Sequence, residues 1–132
     1  MRAMKRAGAI AVVLSTCLGS ASAVSAGTAQ EVFICKLNEG KTMEDLNKVI
    51  DDFKKMVGKL KGGDKYQAWL LTPVAAGNLA NIVWVGEMSD GVSLATLTED
   101  YRTSEAGRIQ DKKFQKVITC ESRSIWNSEK LK

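Results

Sequence analysis

The side chains of this sequence that could act on a small molecule are mainly aromatic. The chain has three Trp, two Tyr and no His, so no imidazole can serve as a general base, a haem ligand or a zinc ligand. Asn81, Tyr101 or Arg123 could orient a small, largely apolar ligand in a pocket between a sheet and its helices. The alternative is that the large rings only fill the core and a dimer interface. The rings in question are those of Trp69, Trp84, Trp126 and Tyr66.

The carboxylates do not form a predicted metal or acid–base site. Glu44 and Asp45 are sequence neighbours, as are two further acidic pairs at positions 51–52 and 99–100. Adjacent side chains on a helix diverge by about 100°, so solvated helix faces explain these pairs. Neither a GxSxG elbow nor a P-loop occurs, and no Cys–His pair is possible. These observations argue against hydrolase, kinase and thiol-protease chemistry, and we expect neither a metal nor a cofactor.

The first 26 residues are predicted to be a signal peptide. Arg2, Lys5 and Arg6 precede a short apolar run at positions 7–14 (AGAIAVVL), and small residues follow. The run is too short to cross a bilayer, which needs about 20 residues. We expect export to the periplasm or medium, cleavage after Ala23 or Ala26, and no membrane attachment afterwards. A lipoprotein anchored through Cys17 is the alternative, although Thr16 is a poor match to a lipobox.

Cleavage changes both the charge and the cysteine count. It removes three of the 19 basic residues and no acidic one, so the net charge falls from +4 to 16 − 15 = +1. The mixed charges that remain give no nucleic-acid footprint. Cys35 and Cys120 are left, and two cysteines in an oxidising compartment predict one disulfide. The alternative is a pair of buried free thiols.

The mature chain, residues 27–132, is predicted to be one domain of order β-α-β-β-α-β. Strands are expected at 31–37, 66–72, 81–88 and 118–126, with loose ends before and after. A helix capped by Thr42 carries an apolar stripe from Leu46 to Leu60 and ends at Gly62. A second helical region follows position 91, with an interruption at Thr103-Ser104.

This order is the ferredoxin-like arrangement, in which two helices cover one face of a four-stranded antiparallel sheet and the first and last strands are neighbours. That adjacency would bring Cys35 beside Cys120, so fold and disulfide support each other. Simple alternation then divides the residues of these two strands between two faces. The helix side would carry Phe33, Cys35, Leu37 and Ile118, and the opposite side Val32, Ile34, Lys36, Glu121, Arg123 and Ile125. The opposite side is apolar enough to predict a homodimer through the sheet face.

Two strand–helix units of this kind resemble the dimeric α+β barrel superfamily, whose members pack two ferredoxin-like sheets face to face. The units are EVFICKLNEGKTMEDLNKVIDDF and the longer run that begins NIVWVGEMSDG. They are similar to those of the antibiotic-biosynthesis-monooxygenase-type branch and of small secreted relatives without assigned activity. The resemblance implies either a protein that binds a small apolar ligand or a partner without catalysis, or a cofactor-independent monooxygenase or isomerase. For the enzyme, Asn81, Trp84 and Tyr101 would lie near the substrate.

Overall fold

The computed structural model describes residues 27–74 and 80–129. The predicted signal peptide with its two cleavage sites and Cys17 lies outside these residues. Among the described residues, no helix is both long and apolar enough to span a membrane. The elements are β1 (Thr28–Leu37), α1 (Met43–Val57), a short 3₁₀ turn (Gly63–Lys65), β2 (Gln67–Leu71), β3 (Asn81–Met88), α2 (Gly91–Thr103), α3 (Glu105–Gln115) and β4 (Ile118–Ser128).

Helix α1 begins at a reciprocal cap and buries most of its predicted apolar stripe. It ends at Val57 rather than at Gly62, so Leu60 is buried by the segment that follows the helix. The Asp45 backbone N–H donates to Thr42 Oγ1 (3.2 Å), and the Thr42 backbone N–H donates to Asp45 Oδ2 (3.0 Å). Two of the backbone donors that have no partner inside the helix are thereby satisfied. The buried side chains of this helix are Leu46, Ile50, Phe53 and Val57.

The four strands form one antiparallel sheet in the order β2-β3-β1-β4. The ferredoxin-like fold is therefore confirmed, and so is the adjacency of the first and last strands. Cys35 pairs with Cys120 across β1 and β4, and the two form a disulfide. The predicted interruption of the second helical region at Thr103-Ser104 is confirmed: α2 ends at Thr103, and the Ser104 hydroxyl caps α3 by accepting from the Gly107 N–H (3.1 Å).

Two strands were predicted too short: β1 begins before residue 31, and β4 ends after residue 126. Residues 28–30 belong to β1, where Ala29 is fully buried between Met88 of β3 and Asn127 of β4. Strand β4 continues past Trp126 to Ser128. These ends are polar or small in sequence, so strand propensity did not mark them, whereas pairing with long neighbouring strands holds them in the sheet.

A β-bulge in β4 corrects the predicted faces. Cys35 is opposite Cys120, but Ile34 is opposite Ser122, so Glu121 has no partner residue on β1. The extra residue reverses the alternation beyond it. Lys36 and Glu121 form the expected ion pair. Arg123 is opposite Phe33 and therefore lies on the helix side, with Ile125; the prediction that both lie on the opposite side is wrong.

The other side of the sheet, here called the open face, carries no helix among the described residues. It presents an apolar patch in which Trp69 and Leu71 are 44% and 50% exposed. Its polar border includes the hydrogen bond from Gln30 Nε2 to Glu87 Oε2 (2.7 Å). The apolar residues of the patch are Val32, Ile34, Trp69, Leu71, Val83 and Val85.

Candidate functional site

A cavity of about 480 Å³ lies between the helices and the helix side of the sheet. Its volume is within the range of small-molecule pockets. Strands β1, β3 and β4 supply its floor and helices α1, α2 and α3 its opposite walls. Most of the lining is apolar, and six of the lining residues are aromatic: Phe33, Phe53, Tyr66, Trp84, Tyr101 and Phe114.

Glu31 is the centre of a polar network inside this cavity. Its side chain is only 12% exposed, and a carboxylate with so little water needs partners. Tyr66 Oη donates to Glu31 Oε1 (2.9 Å), and Arg123 Nη2 donates to Glu31 Oε2 (3.0 Å). Trp84 Nε1 in turn donates to Tyr66 Oη (2.8 Å). Three strands and the segment before β2 are thus joined by one chain of hydrogen bonds.

The bulge at Glu121 puts the Arg123 guanidinium on the helix side of the sheet, where it joins this network. Because Arg123 faces the helices, its guanidinium reaches Glu31 and also lies 5.4 Å from the centre of the Phe33 ring. A cation at this distance from an aromatic face is attracted by the ring. A longer contact of 3.4 Å joins Arg123 Nη2 to Thr98 Oγ1 on α2. Arg123 therefore connects the edge strand to the helix layer.

Gly86 makes room for the Tyr66 side chain. A Cβ atom at position 86 would be 1.9 Å from Tyr66 Oη and 2.5 Å from Tyr66 Cζ, and neither contact is tolerable. Gly86 is opposite Glu31 on β1. The missing side chain lets the Tyr66 ring lie across β3 and bring its hydroxyl to the carboxylate.

The aromatic wall of the cavity is organised around Phe53 of α1. Edge-to-face contacts join its ring to those of Tyr66, Trp84, Tyr101 and Phe114, with centroid separations of 5.3–6.3 Å. Aromatic pairs prefer this geometry. Helix α1 thus fixes the wall through a residue of its predicted apolar stripe.

Both cavity tyrosines are held in the protonated state. Burial, together with the Glu31 carboxylate, raises the pKa of Tyr66. Burial and the charges of Asp111 and Glu31 raise the pKa of Tyr101. A neutral phenol is a hydrogen-bond donor, so both hydroxyls can donate.

The structure separates the site residues predicted from sequence into two groups. Trp84, Tyr101 and Arg123 line the cavity. Trp69 lies on the open face, and Asn81, paired with Lys36 at the start of β3, is not a lining residue. The predicted trio of Asn81, Trp84 and Tyr101 is therefore not brought together around this cavity. The ligand-binding role of these residues remains a prediction.

Sequence reasoning missed Glu31 and the polar role of Tyr66. A signal for Glu31 was present, because it lies two residues before Phe33 on a strand whose alternate residues were expected to face the helices. A charged residue in such a position requires a buried partner or a function. Among residues 27–74 and 80–129, no cluster of three or more His, Cys, Asp or Glu side chains could hold a metal ion.

No protein-family model and no curated protein matches this sequence. Solved structures do match its fold. SnoaB from Streptomyces nogalater, described as a cofactor-independent oxygenase, is 8% identical and superposes with a TM-score of 0.60, covering 80% of this chain and 97% of SnoaB.

Two further structures agree with this comparison. A protein from Arabidopsis thaliana is 10% identical, with a TM-score of 0.54 over 79% of this chain and 96% of its own. A conserved protein from Methanosarcina mazei Go1 is 12% identical, with a TM-score of 0.52 over 80% and 96%. Identities this low establish the fold alone. At that level, the predicted ferredoxin-like fold is confirmed.

Proposed function

We propose that this protein binds a small, largely apolar molecule in the cavity between its sheet and its helices. The observation that carries the proposal is a cavity of about 480 Å³ with aromatic walls and a few convergent polar groups. Tightly packed cores contain few voids larger than a water molecule, so a space of this size is a candidate ligand site. Trp84, Tyr101 and Arg123 are the residues expected to contact the ligand.

The binding test uses Nile red, an uncharged apolar dye whose fluorescence rises when water is excluded. We expect saturable binding to the wild-type protein with one site per chain. Thr98 lines the cavity from α2, so Thr98→Trp should fill the space and weaken binding at least tenfold. Val92 lies on the same helix and is 77% exposed, which makes Val92→Trp the matched control. Equal binding by all three proteins would contradict the proposal.

Cofactor-independent oxygenation or isomerisation is the second candidate function. The cavity supports it by bringing the Glu31 carboxylate and two tyrosine hydroxyls onto an apolar wall, the arrangement an enzyme pocket needs. SnoaB, which shares the fold, is described as such an oxygenase. The test is to identify by native mass spectrometry a compound that co-purifies with the protein and to add more of it under air. Conversion without any added cofactor would favour the enzyme, and release of the compound unchanged would favour binding.

We also propose a homodimer formed through the open face. Its apolar patch is continuous across three strands, and exposed apolar patches of this kind are typical of interfaces. Light scattering at micromolar concentration should give twice the mass of one chain. Val85→Glu, in the middle of the patch, should give monomers, whereas Val92→Glu on α2 should leave the mass unchanged. A wild-type monomer would contradict the proposal.

We also propose that the protein is exported. The Cys35–Cys120 disulfide is compatible with an oxidising compartment. The intact mass of the exported protein should correspond to cleavage after Ala23 or Ala26. A lipid-modified Cys17 at the new amino terminus would support the lipoprotein alternative instead.

A further inference from the structure

The charged side chains around the cavity balance one another. Glu31 and Asp111 are acidic, and Arg102 and Arg123 are basic. Glu31 and Arg123 pair with each other at 3.0 Å, with the Glu31 side chain 12% and the Arg123 side chain 39% exposed. Arg102 and Asp111 are exposed to solvent. Within the part of the chain that the structure describes, Glu31 and Arg123 are therefore already paired, whereas Arg102 and Asp111 remain in contact with water.

A charged ligand group beside Glu31 could be neutralised by Glu31 or Arg123 only by breaking their pair. A carboxylate would have to take Arg123 from Glu31, and an ammonium group would have to take Glu31 from Arg123. Either exchange leaves one partly buried charge without its partner, which is costly. An uncharged ligand leaves the pair intact and loses less hydration on entering an apolar cavity.

Two hydrogen-bond donors in the cavity already have protein partners, and a third has none. Trp84 Nε1 donates to Tyr66, and the Tyr66 hydroxyl donates to Glu31, so both donors are engaged. Tyr101 lines the cavity, and its hydroxyl has no hydrogen-bond partner among residues 27–74 and 80–129. Its raised pKa keeps the proton on the oxygen. A hydroxyl that lies on the cavity wall without a protein partner is available to donate to an acceptor atom on a ligand.

We propose that the cavity selects an uncharged ligand with an apolar, ring-containing body and one acceptor oxygen, a carbonyl or an ether, which accepts a hydrogen bond from Tyr101. This inference rests on the proposed binding function and specifies the chemical class of the ligand. The Glu31–Arg123 pair acts against charged ligands, and Tyr101 acts in favour of the acceptor. Because Phe53 contacts the Tyr101 ring (centroids 6.3 Å apart), the aromatic wall holds this donor in place.

The test compares four probes that share a naphthalene body and differ in one group. They are methyl naphthyl ketone, ethylnaphthalene, naphthoate and naphthylmethylammonium, each measured by displacement of Nile red. We expect the ketone to bind about tenfold more tightly than either charged probe, because a charged group would break the Glu31–Arg123 ion pair. We expect it to bind about fivefold more tightly than the hydrocarbon, because the hydrocarbon cannot accept the hydrogen bond from Tyr101.

The variant Tyr101→Phe tests whether the preference for the ketone comes from the Tyr101 hydroxyl. Tyr101→Phe should lower the affinity for the ketone about fivefold, to that of ethylnaphthalene, and leave ethylnaphthalene itself unchanged. The hydrocarbon thereby controls for changes in cavity shape or folding.

The possible failures are distinguishable. If naphthoate or the ammonium probe binds as tightly as the ketone, or if Tyr101→Phe weakens ketone and hydrocarbon equally, the ligand class is wrong although the cavity binds ligands. If Nile red binds the cavity but none of the four probes displaces it, the ligand class is wrong and the proposed function stands. If Nile red binds wild type and Thr98→Trp equally, the proposed function is wrong and the ligand class is wrong with it.

Discussion

At the scale of single residues, Gly86 determines whether the polar network can form. The Tyr66 hydroxyl donates to Glu31 only because its ring crosses β3 where there is no Cβ atom. Glycine inside a strand ordinarily weakens it. Here the same residue permits a buried carboxylate to be satisfied by a neighbouring phenol.

We expect Gly86→Ala to destabilise the protein by about 1–3 kcal/mol, the usual effect of losing partners for a buried polar group. The new methyl group would displace the Tyr66 ring and break its bonds to Glu31 and Trp84. Tyr66→Ala supplies the control, because Gly86→Ala should cost little once that ring is absent. Urea unfolding of the two single variants and the double variant measures this, and simple additivity would contradict the explanation.

At the scale of the elements, helix α2 depends on the side chain at its amino-terminal cap. Asp90 Oδ1 accepts from the Ser93 backbone N–H (2.8 Å), and Asp90 Oδ2 accepts from the Ser93 hydroxyl (2.8 Å). These bonds lower the pKa of Asp90 from 3.8 to about 2. The helix supplies Leu97 and Thr98 to the cavity wall, so its amino-terminal turn also supports the site.

The lowered pKa of Asp90 predicts the direction of a pH effect. A carboxyl whose pKa is lower in the folded state than in the unfolded state stabilises the fold above its unfolded pKa, and this contribution disappears as the pH falls through the folded pKa. Wild type should therefore be more stable than Asp90→Ala at pH 5, and the gap between their melting temperatures should close between about pH 4 and pH 2. A gap of constant size over that range would contradict the role of the ionised cap.

Among the elements, strand β3 could be predicted from the sequence, whereas the bulge in β4 could not. Strand β3 was predicted at its observed bounds, because β-branched residues and clear turns define it. The β4 bulge was not predictable, since Glu121 is an exposed residue that alternation permits on either side, and Ile125 and Trp126 are equally exposed at 59%. With no difference in burial to mark the register, Arg123 was placed on the wrong face. The cavity was expected only in outline, because its volume depends on how the three helices rest on the sheet.

At the scale of the whole molecule, one covalent bond joins the beginning of the domain to its end. Cys35 and Cys120 are separated by 85 positions in sequence and lie on neighbouring strands. Both also line the cavity. The disulfide therefore restrains the unfolded chain over most of the domain and closes one side of the proposed site.

We expect Cys35→Ala/Cys120→Ala to lower the free energy of unfolding by about 4–5 kcal/mol, the value that loop-closure entropy gives for a loop of this length. Because β1 and β4 pair from Thr28 to Leu37, interrupted only by the bulge at Glu121, the variant should still fold at low temperature. Urea unfolding under oxidising and reducing conditions measures the loss, with reduced wild type expected to match the variant. A loss below about 1 kcal/mol would contradict the assigned restraint.

The three tryptophans offer the most direct measurement, since Trp84 lines the cavity while Trp69 and Trp126 lie on the open face. Titration with methyl naphthyl ketone, followed through the three indole N–H resonances by NMR, should shift the Trp84 signal and leave the other two in place. Movement of the Trp69 or Trp126 signal with an unchanged Trp84 signal would show that the ligand binds the open face, and would contradict a site between the sheet and its helices.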